Sequence, residues 1–147
     1  MSFTHTALAF FIGALLPVQV GVNVELARHI NSPVLAALVS FVVGGLCLIL
    51  SASIIKTPLP TWNQVISLPN WLWGGGLIGA LVVFGSILAG PKIGALALMG
   101  LLLAGQLVAS IIIDHYGWLG FSVQKMDFQR LLGVLLLVGG FILIRRN

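Results

Sequence analysis

The chain has 147 residues, 59% of them hydrophobic and only 7% charged, with a formal net charge of +4. A soluble domain clothes its surface with roughly 25% charged residues, so water is not the main solvent of this chain. Its basic residues stand singly beside apolar runs, apart from Arg145-Arg146, which argues against nucleic-acid binding and fits the flanks of membrane spans.

The first apolar run occupies residues 3–24 and carries Pro17, Gln19 and Asn23. It lacks a basic leader and a small-residue cleavage site, so a retained span rather than a signal peptide is expected. Glu25 and Arg28 follow at a spacing that permits a local ion pair. Asn31-Ser32-Pro33 then places a capping side chain before a proline at the first helical position of the second run, 33–55. Cys47, alone in that run, reads as a small buried hydrophobe. Pro58, Pro60 and Pro69 forbid one continuous helix between the second run and the third, 71–90, before which Asn70 is a candidate cap. Gly90-Pro91-Lys92 reads as a very short connector to the fourth run, 93–114. The fifth, 128–144, follows Asp127 as a candidate cap and is interrupted near its start by Arg130.

The first four runs are long enough to cross a hydrocarbon core of about 30 Å at about 1.5 Å per residue. The fifth is marginal at about 26 Å, with Arg130 able to snorkel outward. The expected fold is an all-α integral membrane bundle of about five transmembrane helices, forming a single domain over residues 1–147; four crossings are the alternative count. Trp62, Trp71, Trp73, Tyr116 and Trp118 fall near run ends, as in an aromatic belt.

Polar residues inside spans need partners or a wet cavity. Gln19 and Asn23 share a face one turn apart, just beyond Pro17, whose missing N–H frees a carbonyl one turn earlier. Gln106, Ser110 and Asp114 recur every fourth residue, a polar stripe ending in a carboxylate. Asp114 stands near a helix C-terminus, where the dipole disfavours negative charge, so a partner, water or ligand must compensate it. Small residues also form stripes: Ala36, Ser40 and Gly44 in the second run, Gly75, Gly79, Ser86 and Gly90 in the third, and more weakly Gly133, Gly139 and Gly140. Such faces let helices approach closely in lipid, within one chain or between copies, and a dimer or larger assembly is expected.

With five spans, one side of the membrane holds Lys56, Lys125 and Arg130 and the other Arg28, Lys92, Arg145 and Arg146, three against four. Orientation normally follows a marked excess of Lys and Arg. The near balance predicts that both orientations are used. No HExxH, Walker A, GxSxG or paired-cysteine pattern is present, and His5, His29 and His115 are dispersed, so neither catalysis nor a metal or cofactor is expected.

The stretches GALLPVQVGVNVELARHINSPVLAALVSFVVGG (13–45), LAGPKIGALALMGLLLAGQLVASIIIDHYGWLG (88–120) and RLLGVLLLVGGFILIRR (130–146) resemble the YdcZ family of bacterial inner-membrane exporters in the drug/metabolite transporter (DMT) superfamily. The matching positions are Pro17, Gln19, Asn23, Gly44, Pro91, Gly94, Gln106 and Asp114. The resemblance implies a multi-pass protein of the bacterial inner membrane and a five-helix half unit completed by a second, antiparallel copy. Related small multidrug transporters use a carboxylate well inside their first helix, whereas this chain has Glu25 at the far end of its own. The expected function is export of a small solute by alternating access in an antiparallel homodimer, with Gln19, Asn23, Gln106 and Ser110 lining a polar cavity and Asp114 toward its mouth. A dual-topology channel and an accessory membrane subunit without a substrate are the alternatives.

Overall fold

The structure is a computed structural model and describes residues 3–145. Among the described residues six α-helices follow one another, α1 (Phe3–His29), α2 (Pro33–Ile55), α3 (Trp62–Ile66), α4 (Gly74–Ile93), α5 (Ala95–Tyr116) and α6 (Phe128–Arg145), with single 3₁₀ turns at Asn70–Trp73 and Trp118–Gly120. Among the described residues no strand forms. Four of the described segments are long and apolar enough to cross a membrane, Phe3–His29, Pro33–Ile55, Asn70–Ile93 and Ala95–Tyr116, while Phe128–Leu143 is a shorter apolar helix. Arg146 lies outside the described residues. The chain divides into two compact units, Met1–Lys92 and Ile93–Asn147.

In the first unit α1 runs through Pro17 without ending and continues beyond residue 24 to His29. That extension has local support: Arg28 pairs with Glu25 at 3.1 Å, and His29 Nδ1 lies 2.9 Å from the Glu25 carbonyl. Arg28 and His29 also complement the negative end of the helix dipole. The chain turns at Asn31 in the left-handed region (φ 52°), with the Ser32 N–H donating to the Ala27 carbonyl at 3.1 Å. Ser32 then caps α2, its side chain accepting from the Leu35 N–H at 3.3 Å, with Pro33 next. The short turn makes α1 and α2 a helical hairpin.

The core of this unit is small and built on small residues. Ala27 of α1, Ala36 and Ala37 of α2 and Ile87 of α4 form one buried cluster, covered by Val24, Leu26, Val83 and Phe84. Ala36 is completely buried, which is how the stripe it begins allows close approach; farther along, Gly44 has no neighbour within 4 Å of where a Cβ would stand. The Phe41 ring packs over Gly79, 3.4 Å from that position. Between α2 and α4 runs an apolar groove of about 340 Å³ lined by Val34, Phe41, Leu77 and Phe84 among others.

The connector after α2 is ordered by its own side chains. Lys56 ends α2 in the left-handed region (φ 57°). Thr61 and Gln64 form a reciprocal capping box at the start of α3. Asn70 is not the cap of the next helix, as its position suggested: it is the first residue of the 3₁₀ turn, whose preceding residue is Pro69. Trp62, Trp71 and Trp73 are all exposed.

Nor do residues 90–92 form a connector. α4 passes through Pro91 and ends at Ile93. The usual clash of a proline ring with the Cβ of the preceding residue is absent because that residue is Gly90. The break comes at Gly94, whose φ of 81° and ψ of 158° belong to a region essentially restricted to glycine.

In the second unit α5 ends at Gly117, left-handed at φ 64°, whose N–H returns to the Ile113 carbonyl. α5 packs on α6 along a seam formed by Gly100, Leu103, Ala104 and Leu107 facing Leu137, Val138 and Phe141. The Phe141 ring fills the space a Cβ would need at Gly100. Asp127 starts α6 as expected, accepting the Arg130 N–H at 2.8 Å on its side chain.

Candidate functional site

Hydroxyl groups in the spans divide into two classes. Ser51, Ser53 and Ser86 donate to the carbonyls of Cys47, Ile49 and Val82, four residues back, at 2.7–2.9 Å, which satisfies them within their own helices. Among the described residues, Gln19, Asn23, Ser40, Gln106 and Ser110 are the polar side chains at span depth without a hydrogen bond to the rest of the chain. Four of these are the residues singled out from their spacing. Ser40, half-buried in α2, is the addition. Its signal was present in the sequence but was absorbed into a stripe of small residues.

The two stripes descend from exposed positions into packed ones. On α1, Gln19 is exposed, Asn23 is only 5% exposed, and Ala27 belongs to the core. Residues four apart advance by about 40°, so the line through Gln19, Asn23 and Ala27 winds from the open face into the contact with α2. No side-chain nitrogen or oxygen among the described residues is sealed without a partner, so the amide tip of Asn23 keeps a narrow access although the residue is nine-tenths buried.

On α5, Gln106 and Ser110 are exposed and Asp114 is half-buried. Measured from the middle of the seam with α6, they lie about 110°, 70° and 30° round the helix. The stripe therefore enters the seam at its carboxylate end. There Asp114 Oδ2 stands 3.6 Å from Arg130 Nη1, which is the compensating partner its place near a helix C-terminus demanded. Arg130 does not simply snorkel: its Nη1 also donates to the Gln124 carbonyl at 3.2 Å, and its Nη2 to the Gln124 side chain. The Gln124 N–H closes the knot by donating to the Asp114 carbonyl at 2.8 Å. His115 Nδ1 receives the Met126 N–H at 3.4 Å, and the Tyr116 ring stacks on Trp118. This connection between α5 and α6 is thus held by hydrogen bonds at the point where the polar stripe ends.

The structure therefore brings Gln19 and Asn23 together on one helix of the first unit, and Gln106, Ser110 and Asp114 together on one helix of the second. Neither the groove between α2 and α4 nor that of about 370 Å³ between α5 and α6 is lined by any of them. Both grooves are apolar surfaces suited to lipid or helix packing. Among the described residues no group of three or more metal-ligating side chains gathers.

Comparison with known proteins agrees with this architecture. The family described as "Putative inner membrane exporter, YdcZ" matches residues 4–143. No curated protein matches the chain, and no solved structure does. With nearly its whole length covered and four helices able to span a bilayer, the chain belongs to the YdcZ family of inner-membrane exporters and is a multi-pass inner-membrane protein of a transporter rather than an enzyme class.

Proposed function

We propose that the protein exports a small solute by alternating access, working as an antiparallel homodimer. The observation that carries this reading is the set of span-depth polar side chains left without partners: Gln19 and Asn23 on α1, Ser40 on α2, and Gln106 and Ser110 on α5. A carboxamide facing hydrocarbon without a partner costs about 1–3 kcal/mol. Three carboxamides and two hydroxyls can be tolerated where a polar path or a bound solute meets them. Asp114, balanced by Arg130, stands at the end of the α5 stripe.

Two further observations support the paired arrangement. Lysines and arginines are nearly balanced, three against four across five crossings, so neither orientation is imposed by charge. Many helix glycines, Gly13, Gly21, Gly44, Gly45, Gly105, Gly133 and Gly139 among them, have nothing near the place of a Cβ, leaving close-approach faces for another helix. Two inverted copies rocking about a midplane site would provide the alternation.

The test is counterflow in liposomes reconstituted with the purified protein, screened against a metabolite panel, with Gln106→Ala and Asp114→Asn in parallel. Saturable flux with counterflow, diminished in both variants, is expected. Rapid flux without counterflow indicates a channel instead, and wild-type behaviour in both variants would refute the site assignment. A C-terminal reporter found on one side only of the native membrane would refute dual orientation, and moving two basic residues to one side should lock it.

A further inference from the structure

The chain contains three acidic residues in all, and each is engaged. Glu25 pairs through Oε2 with Arg28 Nη1 at 3.1 Å and lies through Oε1 3.6 Å from His29 Nδ1. Asp114 pairs with Arg130 at 3.6 Å. Asp127 is committed to the first turn of α6, where its Oδ1 accepts the Arg130 N–H. The described lysines are exposed and peripheral: Lys56 caps α2, Lys92 lies one residue from the end of α4, and Lys125 lies in the connector before α6. From residue 30 to the end of α2, and through the interiors of α4, α5 and α6, no Asp, Glu, Lys or Arg occurs. What the spans offer a passenger at depth is three carboxamides and two hydroxyls.

These groups share one chemistry. A carboxamide presents a carbonyl acceptor and an NH₂ donor, and a hydroxyl both donates and accepts; each is matched by a neutral group that does the same. An ion stripped of its water on such a path would meet no opposite formal charge, and the cost of desolvating it would be met by dipoles alone. The two charged pairs near the helix ends are each internally neutral, so a solute passing Asp114 meets an acid whose charge is already balanced.

We infer that the solute is small, uncharged and rich in hydroxyl or carboxamide groups, and that its passage moves no net charge and draws on no unbalanced carboxylate. This rests on the transporter reading above and narrows it to a substrate class. Asn23 is the residue that most directly selects it, because its nearly buried amide has only its tip available.

The experiment uses proteoliposomes under a potassium–valinomycin voltage clamp. Radiolabelled xylitol, ribose and nicotinamide serve as neutral probes, and choline, methyl viologen and glutamate as charged ones. A solute moving one elementary charge changes its accumulation roughly fifty-fold for about 100 mV, whereas a neutral one does not respond. Expected is uptake of at least one neutral probe at a level independent of the imposed potential. Glu25→Gln should leave it unchanged, as should Glu25→Gln/Arg28→Gln, which removes both charges of that pair together. Transport of a charged probe, dependence on potential, or loss of flux in the double variant while it remains folded would overturn the inference and leave the transporter reading standing. If no probe moves above protein-free liposomes, the transporter reading falls and this inference with it.

Discussion

Replacing Asn23 by leucine separates what this residue does for folding from what it does for transport. Asparagine and leucine share the same branched arrangement of four side-chain heavy atoms, so Asn23→Leu keeps the outline of a side chain that is 5% exposed, with a modest increase in volume, and removes an amide that has no hydrogen bond within the chain. Deleting an unsatisfied buried polar group relieves about 1–3 kcal/mol; because the amide tip keeps some access, the gain should be near the lower end, about 1 kcal/mol. For a chain of this length that raises the midpoint of thermal unfolding by about 2–4 °C. Transport should move the other way: losing a hydrogen bond to the solute, worth about 1–1.5 kcal/mol, lowers flux at subsaturating solute by roughly tenfold. The assays are thermal unfolding of the detergent-purified protein and liposome counterflow on the same preparation. A leucine variant that melts below the wild type would show that the folded protein already satisfies this amide, which then does not wait for a solute. Asn23→Ala, which also removes packing, should lose flux without gaining stability.

Arg130→Ala should destabilise by about 1–3 kcal/mol, between the values for exposed and buried ion pairs, because it strands Asp114 in a half-buried site. Asp114→Asn in the same chain should restore part of that loss, and a double-mutant cycle by chemical unfolding measures the coupling. Gly100→Ala should cost about 1–3 kcal/mol by pushing on the Phe141 ring; Phe141→Leu in addition should recover stability if the seam between α5 and α6 is as described. Gly94→Ala should cost a similar amount, about 1–3 kcal/mol, since φ 81° with ψ 158° suits no other residue. Gly105→Ala, in mid-helix with open space around it, serves as its control and should be neutral or gain about 0.5–1 kcal/mol; a loss there would indicate a close-packed neighbouring helix.

Much of this protein was legible in its sequence because the bilayer leaves few choices. A long run with no charged side chain must satisfy its backbone internally, so helix was the only outcome for residues 33–55, and Ser32-Pro33 marked its start through capping chemistry that is local. The same locality made Asp127 readable as a cap and made Gln19/Asn23 and Gln106/Ser110/Asp114 readable as stripes, since residues four apart share a helix face whatever surrounds them. Local rules failed where backbone geometry and neighbouring helices compete with them. Pro91 looked like a break, yet Gly90 before it offers no Cβ to clash, and the chain leaves the helix three residues later.

Which members of a stripe are covered depends on contacts between segments distant in sequence. Spacing alone could not tell that Asn23 sinks beside Ala27 while Gln19 stays open, or that Arg130, read as an interruption in a span, turns back to balance Asp114. Nor could it show that Ser51, Ser53 and Ser86 satisfy themselves while Ser40 does not. The sequence by itself determined a membrane-spanning helical protein and the faces of its polar residues, because solvent and helix period act on each segment separately. Only the tertiary structure decided which polar groups have partners, because partnership requires two groups to be held within about 3 Å of each other by everything packed around them.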